Sequence, residues 1–139
     1  MFTLYKIYYG DTLAYLGRTR QPLKRRLRGH FFKKRLHKAV DIFRVTRIEC
    51  AEFATCADMY LYEIYYINRL HPLLNRDDAA EDELTVSLPE VEFMEFDCDL
   101  MEKWKAEVLI RKETQRAQRK EQRERRAAKA KRPDAAQTE

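Results

Sequence analysis

The chain has 139 residues, which allows one ordinary domain and an extension, and its 45% hydrophobic content allows a buried core. No apolar run approaches the roughly 18 residues of a membrane span, no secretion-signal order is evident, and three cysteines without a C-x-x-C pair argue against a disulfide framework or zinc site. We therefore expect a cytoplasmic protein that binds no membrane.

The charges are distributed unevenly along the chain. Lys and Arg outnumber Asp and Glu by 14 to 6 over 1–75 and by 13 to 7 over 100–139, whereas 76–99 holds 1 basic residue against 10 acidic ones. This basic, acidic, basic order indicates a polyanionic partner.

The first 37 residues predict a β-hairpin followed by a helix. Residues 2–9 and 13–17 are rich in Tyr, Leu and Ile and indicate two strands with a turn at Gly10. Pro22 suits the first turn of a helix, which we expect over 22–37. Its apolar stripe recurs every four residues, at Leu23, Leu27 and Phe31.

A second strand–helix pair follows. Residues 42–49 alternate between apolar and polar side chains, which predicts a third strand. Residues 55–70 predict a second helix, with Thr55 as N-cap and Asp58 three residues later. Pro72 lies just beyond its end, where a helix cannot continue.

The remainder differs in composition. We expect an acidic connection over 77–98, with strand-like stretches in 84–96 that could add an edge strand, then a basic helical tail over 99–132 and a disordered end over 133–139. Residues 111–132 hold 11 Lys/Arg against 3 Glu and no large apolar side chain. The apolar stripe at the start of this helix consists of Leu100, Trp104 and Val108.

Several side chains could carry chemistry, and each also has a structural explanation. Tyr5 and Tyr15 could be core residues, Arg26 could be surface charge, and Asn75 could cap a turn. Glu63 lies in an apolar helix and needs a partner, which an ion pair with Arg26 or a divalent metal would supply. The members of this set are Tyr5, Tyr15, Arg26, His30, Glu63 and Asn75.

Together these residue types suit phosphodiester hydrolysis. The reaction needs a base for the nucleophile, positive charge on the phosphate and a metal for the leaving oxygen. A Tyr can be the base if nearby cations lower its pKa, an Arg can bind two phosphate oxygens, and one Glu can hold a Mg²⁺ that keeps most of its waters.

The order of these residues resembles the GIY-YIG nuclease family. TLYKI (3–7) is similar to its first motif, YLG (15–17) to its second, GRTRQPLKRRLRGHF (17–31) to its Arg/His helix, and YEIYYINRLHPLLN (62–75) to its Glu and Asn end. The resemblance covers about half of the chain and implies a nuclease domain over 1–76. It implies an α+β fold with a small mixed three-stranded sheet flanked by helices, to which the C-terminal extension with its long basic helix is added.

The resemblance also implies roles. Tyr5 would be the general base or its close partner, and Tyr15 would orient the water or Tyr5. Arg26 would bind the scissile phosphate, with Arg25 as a rival because the preceding loop is one residue longer than the commonest spacing. His30 would hydrogen-bond within the site, Glu63 would hold one Mg²⁺ or Mn²⁺, Asn75 would brace the site and Gly17 would permit close backbone approach.

The expected partner is DNA, and a monomer is slightly favoured. The tail could follow phosphates without reading bases, or could be a solubilising charged helix. Two other functions remain open: a nucleic-acid-binding module without catalysis, and a coiled-coil interaction protein, which the lack of large apolar residues after Ile110 disfavours. The expected nucleic-acid contacts are Gly17, Arg18, Arg25, Lys33, Lys34, Arg116, Arg119, Lys120 and Arg123.

Overall fold

A computed structural model describes residues 1–33, 40–76 and 79–132, except the side chain of Cys98. It shows an α+β fold with a four-stranded sheet and three α-helices in the described residues. The strands are β1 (Phe2–Tyr9), β2 (Thr12–Thr19), β3 (Arg47–Phe53) and β4 (Met94–Glu95), in the order β2-β1-β3-β4. The helices are α1 (Leu23–Phe32), α2 (Cys56–Leu70) and α3 (Cys98–Ala130).

The sheet differs from the expected mixed three-stranded one. All three described pairings are antiparallel, so the expectation of a mixed sheet is wrong. The hairpin makes β2 antiparallel to β1, and the connection through α1 returns β3 antiparallel to the other edge of β1. The acidic connection then adds β4 to β3, within the stretch where an extra edge strand was expected.

Local sequence patterns predicted the positions of the hairpin and α2 well. β1 has the expected bounds, and Gly10 takes a left-handed backbone (φ 59°) at the turn. The Thr55 side chain accepts a hydrogen bond from Asp58 N at 3.1 Å and so begins α2. The helix ends at Leu70, and the capping residue His71, just before Pro72, has a left-handed backbone (φ 47°).

Several boundaries differ from the predictions. β2 spans Thr12–Thr19 and not 13–17, and β3 spans Arg47–Phe53 and not 42–49. α1 ends at Phe32 because Lys33 has an extended backbone, whereas a helix to residue 37 was expected; 34–39 lie outside the described residues. The predicted strand over 42–49 begins instead with a 3-10 turn, Ile42–Arg44, because the Asp41 side chain accepts a hydrogen bond from Phe43 N at 3.0 Å.

The structure divides into two units, Met1–Glu102 and Lys103–Glu139. In the first unit, the sheet packs on α2 through Leu4, Leu16 and Ile67. In α3 the buried apolar side chains are Met101, Trp104 and Val108, while Leu100, expected in this stripe, is only half-buried. None of the described helices combines the length and the apolar character that a membrane crossing demands.

Candidate active site

The hairpin places two tyrosines on one face of the sheet. Tyr5 pairs with Gly17 across β1 and β2, and Tyr15 precedes Gly17 by two residues. Because cross-strand partners share a face and side chains alternate along a strand, all three residues lie on the same side. The ring centroids of Tyr5 and Tyr15 are 6.0 Å apart.

Helix α1 adds an imidazole and a guanidinium on this face. Arg26 and His30 are one turn apart and therefore share one side of the helix. The His30 ring lies 5.7 Å from the Tyr5 ring and 5.1 Å from the Tyr15 ring, centroid to centroid. The sequence-predicted residues Tyr5, Tyr15, Arg26 and His30 thus form one cluster, called here the tyrosine cluster.

Hydrogen bonds connect this cluster through the Tyr5 hydroxyl. Tyr5 Oη lies 2.5 Å from His30 Nε2, and Arg26 Nε donates to the same oxygen at 3.3 Å. Because Arg26 can only donate, the Tyr5 hydroxyl is free to donate its own proton to His30 Nε2. Tyr5 is fully buried and His30 is 7% exposed, whereas Tyr15 and Arg26 are half-buried and face the rim of the cluster.

Burial controls the protonation of both inner groups. Removal from water raises the pKa of Tyr5, and the neighbouring Tyr15 raises it further, against the effect of Arg26. The condition set for a tyrosine base, a pKa lowered by nearby cations, is therefore not met, because burial outweighs the effect of Arg26. Burial, followed by the Arg26 charge, lowers the pKa of His30 to about 4, so its imidazole is neutral at neutral pH.

Gly17 leaves room for the two tyrosines. A Cβ at this position would lie 2.6 Å from Tyr15 Cε1, 2.7 Å from Tyr5 Oη and 2.8 Å from Tyr5 Cζ. Distances below 3.0 Å are essentially never found for real Cβ atoms. The glycine therefore allows both rings to pass directly beneath β2.

Arg26 and Arg25 are distinguished by their positions on α1. Arg26 is half-buried and bonded to Tyr5, whereas Arg25 is exposed on the neighbouring side of the helix. Of the two rivals, Arg26 is the one that belongs to the tyrosine cluster.

Glu63 lies on the other face of the sheet, beside the edge strand β2. Arg18 follows Gly17 and therefore points away from the tyrosine cluster. Its Nε is 3.1 Å from Glu63 Oε2, with side-chain exposures of 45% and 19%. Two partners were considered for Glu63 from the sequence, an ion pair with Arg26 and a divalent metal. The ion pair found is with Arg18, which had been expected to contact phosphate.

Tyr60 is a member of this second group that sequence reasoning missed. It lies three residues before Glu63 and so on the same side of α2. The Arg18 guanidinium stacks 3.9 Å above the centre of its ring. The i, i+3 spacing of Tyr60 and Glu63 was the available signal, but it required knowing that β2 lies against this side of α2.

Asn75 binds the backbone of β2 next to Gly17. Its Oδ1 accepts from Leu16 N and its Nδ2 donates to Leu16 O, both at 2.9 Å, and the side chain is 2% exposed. Leu73 N and Leu74 N donate to Leu13 O and Ala14 O just before it. Asn75 thus fixes the strand that carries Tyr15 and Gly17.

Glu63 is the only metal ligand that the sequence predicts. Within the described ranges, His, Cys, Asp and Glu side chains do not gather in groups of three or more. Glu63 is a partly exposed hard oxygen ligand, which fits a Mg²⁺ that keeps most of its waters and not a cage of protein ligands.

The expected phosphate contacts fall into separate places. Arg18, Arg25 and Lys33 are exposed, Gly17 is buried, and Lys34 lies outside the described residues. The contacts expected on α3 are all exposed: Arg116, Arg119, Lys120 and Arg123.

No family model, no curated protein and no solved structure matches this chain.

Proposed function

We propose that the chain is a metal-dependent endonuclease that hydrolyses phosphodiester bonds in DNA, as its resemblance to GIY-YIG nucleases implies. The observation that carries the proposal is the Tyr5 hydroxyl, which lies between His30 Nε2 and Arg26 Nε at 2.5 and 3.3 Å. This arrangement joins a proton acceptor to a phosphate ligand, which are two of the requirements of hydrolysis.

The proton acceptor in this proposal is the Tyr5–His30 pair. Burial raises the pKa of Tyr5, so the phenol does not ionise by itself at neutral pH. Neutral His30 can accept the Tyr5 hydroxyl proton at Nε2 while Tyr5 takes one from water, which leaves hydroxide to attack the phosphorus. Because its lowered pKa makes His30 a weak acceptor, the step needs the negative charge of a bound phosphate nearby to stabilise the imidazolium. Tyr15 is less buried and orients that water against Tyr5.

Arg26 is the phosphate ligand. Its Nε is bonded to Tyr5, which fixes the plane of the guanidinium, and its Nη groups would bind the oxygens of the scissile phosphate. The same contact fixes the position of the bound phosphate relative to the base, because Arg26 and His30 both contact the Tyr5 hydroxyl oxygen.

Glu63 would hold Mg²⁺ or Mn²⁺, which supplies charge stabilisation to the leaving oxygen. The carboxylate faces Arg18 beside the edge of β2, on the face opposite Arg26, so a phosphate held by Arg18 and a metal held by Glu63 would be neighbours. The DNA backbone would cross this edge to bring the scissile phosphate within reach of both Arg26 and the metal. Arg18 then exchanges its contact with Glu63 for one with the DNA backbone.

A nucleic-acid-binding module without catalysis is the second candidate. It is favoured by the deep burial of Tyr5 and by the ion pair that already engages Glu63. Under this alternative the tyrosine cluster would stabilise the hairpin, and the basic residues would bind phosphates only.

The deciding experiment is cleavage of supercoiled plasmid and of single-stranded DNA, each with Mg²⁺ and with EDTA. Three proteins are compared: wild type, Glu63→Gln, and the matched control Glu52→Gln, which changes an exposed carboxylate on β3. We expect wild type and Glu52→Gln to cut in Mg²⁺, and both EDTA and Glu63→Gln to lower the rate by about 100-fold or more.

Two outcomes would contradict the proposal. If wild type binds DNA and never cuts it in Mg²⁺ or Mn²⁺, the binding-module function replaces it. If Glu63→Gln cuts as fast as Glu52→Gln, the role of Glu63 is wrong.

A further inference from the structure

No side of the C-terminal part of α3 is buried. Every described residue from Leu109 to Arg132 is exposed. Residues 111–132 are mostly Lys, Arg, Gln, Glu and Ala, which are strong helix formers. Exposed pairs one turn apart, such as Arg125 with Glu121 at 2.6 Å, add to this local stability.

The charges of this segment are divided between two sides of the helix. At about 100° per residue, the three glutamates fall within one arc of about 80°. An arc of about 220° on the remaining circumference carries only Lys, Arg, Gln and Ala side chains, with no acid. The three glutamates are Glu113, Glu121 and Glu124.

The acid-free arc has a centre and two flanks. Its centre is a stripe spaced by four, three and four residues, formed by Gln115, Arg119, Gln122 and Arg126. Cations lie on both sides of that stripe: Arg116, Lys120 and Arg123 on one side, and Arg125 and Lys129 on the other.

A wide arc of this kind matches a groove with two walls. A single phosphate chain or a flat surface would meet only one stripe of a helix. The major groove of B-DNA, about 12 Å wide, accepts a whole α-helix and places a phosphate strand on each side of it. The deep, narrow major groove of A-form RNA does not.

We propose that this side of α3 lies in the major groove of double-stranded DNA, with the central Gln and Arg side chains against base edges and the flanking cations against the two phosphate strands. Arg pairs with guanine and Gln with adenine through two hydrogen bonds each, so the centre is suited to base reading. The stripe is about 17 Å long, which corresponds to about five base pairs. The inference rests on the proposed function, because it takes DNA as the substrate.

The test measures binding by the full chain in EDTA, so that hydrolysis is not required. The probes are a random-sequence 20-base-pair DNA duplex pool, single-stranded DNA and double-stranded RNA of the same length. We expect duplex DNA to bind at least about 10-fold more tightly than the other two, and repeated selection to enrich a run of about five base pairs containing A and G.

Neutral substitutions separate base reading from charge. The double variant Gln115→Ala/Gln122→Ala keeps the net charge and the helix, and we expect it to lose about 10-fold in preference for the selected duplex over the pool. Thr114→Ala, which lies outside the acid-free arc, should keep that preference. Both variants should keep the salt dependence of wild type.

A charge variant tests the phosphate flank. Arg116→Ala/Lys120→Ala/Arg123→Ala should weaken all duplexes alike and reduce the slope of log affinity against log salt by about 3. Equal binding of single-stranded DNA or RNA, no enriched sequence, or an unchanged preference in the Gln double variant would each overturn the inference. If one of these results is found and the chain still cleaves DNA, the proposed nuclease function stands and only the inference on α3 fails. If the chain prefers duplex DNA but does not cleave it, the inference stands and the nuclease function fails.

Discussion

The Tyr5 hydroxyl oxygen lies 2.7 Å from the point that a Cβ on Gly17 would occupy. Tyr5 is fully buried and bonded to His30, so it cannot move aside without breaking that bond. We expect Gly17→Ala to lower the free energy of unfolding by about 1–3 kcal/mol, as overpacking does, and to reduce DNA cleavage.

Gly29 provides the matched control for this change. A Cβ there meets nothing within 4 Å, and the residue lies within α1. Gly29→Ala should therefore raise the free energy of unfolding by up to about 1 kcal/mol. Urea unfolding of both variants measures the contrast, and equal stability of the two would contradict the close approach at Gly17.

Asn75→Ala should destabilise the domain and the site together. The change leaves the buried N–H and C=O of Leu16 without the side-chain amide that binds them. We expect a loss of about 2–4 kcal/mol in urea unfolding and slower cleavage, because β2 also carries Tyr15.

Asn68→Ala controls for the loss of a buried amide. Asn68 also makes two backbone hydrogen bonds, with Asp82 O at 2.8 Å and Leu84 N at 2.9 Å, but these hold the acidic connection on α2. Asn68→Ala should lower the free energy of unfolding by a similar amount, while the folded variant should still cleave DNA at the wild-type rate. A comparable fall in cleavage for both variants would show that Asn75 has no particular relation to the site.

His30 makes stability depend on pH. Its pKa is about 4 in the folded chain against an ordinary 6.5, so between these values the unfolded chain binds more protons. Stability from this residue is complete above pH 6.5 and is lost as the pH falls towards 4. The difference in unfolding free energy between wild type and His30→Gln should fall by about 3 kcal/mol from pH 7 to pH 4.

Urea unfolding at several pH values measures this difference, and the carboxylates common to both proteins cancel in it. A difference that does not change with pH would mean that His30 titrates near its ordinary value in the folded chain, which would contradict the lowering of its pKa by burial.

Arg26→Lys and Arg25→Lys distinguish the two arginines. The first change keeps the charge but removes the Nε that binds Tyr5 and the planar pair of Nη groups. We expect it to slow cleavage by about 100-fold or more. Arg25→Lys, on the exposed side of α1, should change the rate by less than about threefold. The reverse order would reassign the phosphate ligand to Arg25.

The parts of the fold that sequence predicted well are those set by local chemistry. Alternating side chains and Gly10 define the hairpin, and the Thr55 side chain together with Pro72 bounds α2. The start of β3 was misplaced because one side chain, that of Asp41, caps a short turn inside an alternating pattern. The relative direction of the strands was misjudged because it depends on whether β3 pairs with β1 or with β2.

The site was predictable in its composition and only partly in its geometry. The i, i+4 spacing on α1 correctly united Arg26 with His30, and the resemblance supplied the tyrosines. The pairing of Glu63 with Arg18 was not predictable, because it depends on α2 packing on the face of β2 opposite the tyrosines. The direction of the Tyr5 pKa also depends on burial that only the folded chain reveals.

The Asn75 side chain occupies the place that a neighbouring strand would take. It donates to and accepts from the same residue of β2, as a peptide group does, and the backbone of Leu73 and Leu74 precedes it along that edge. Together with β4, which pairs with Glu49 and Cys50 of β3, it covers part of the backbone at each edge of the sheet. The molecule is thereby guarded against edge-to-edge aggregation, and loss of this one amide would open a template on which a second chain could pair.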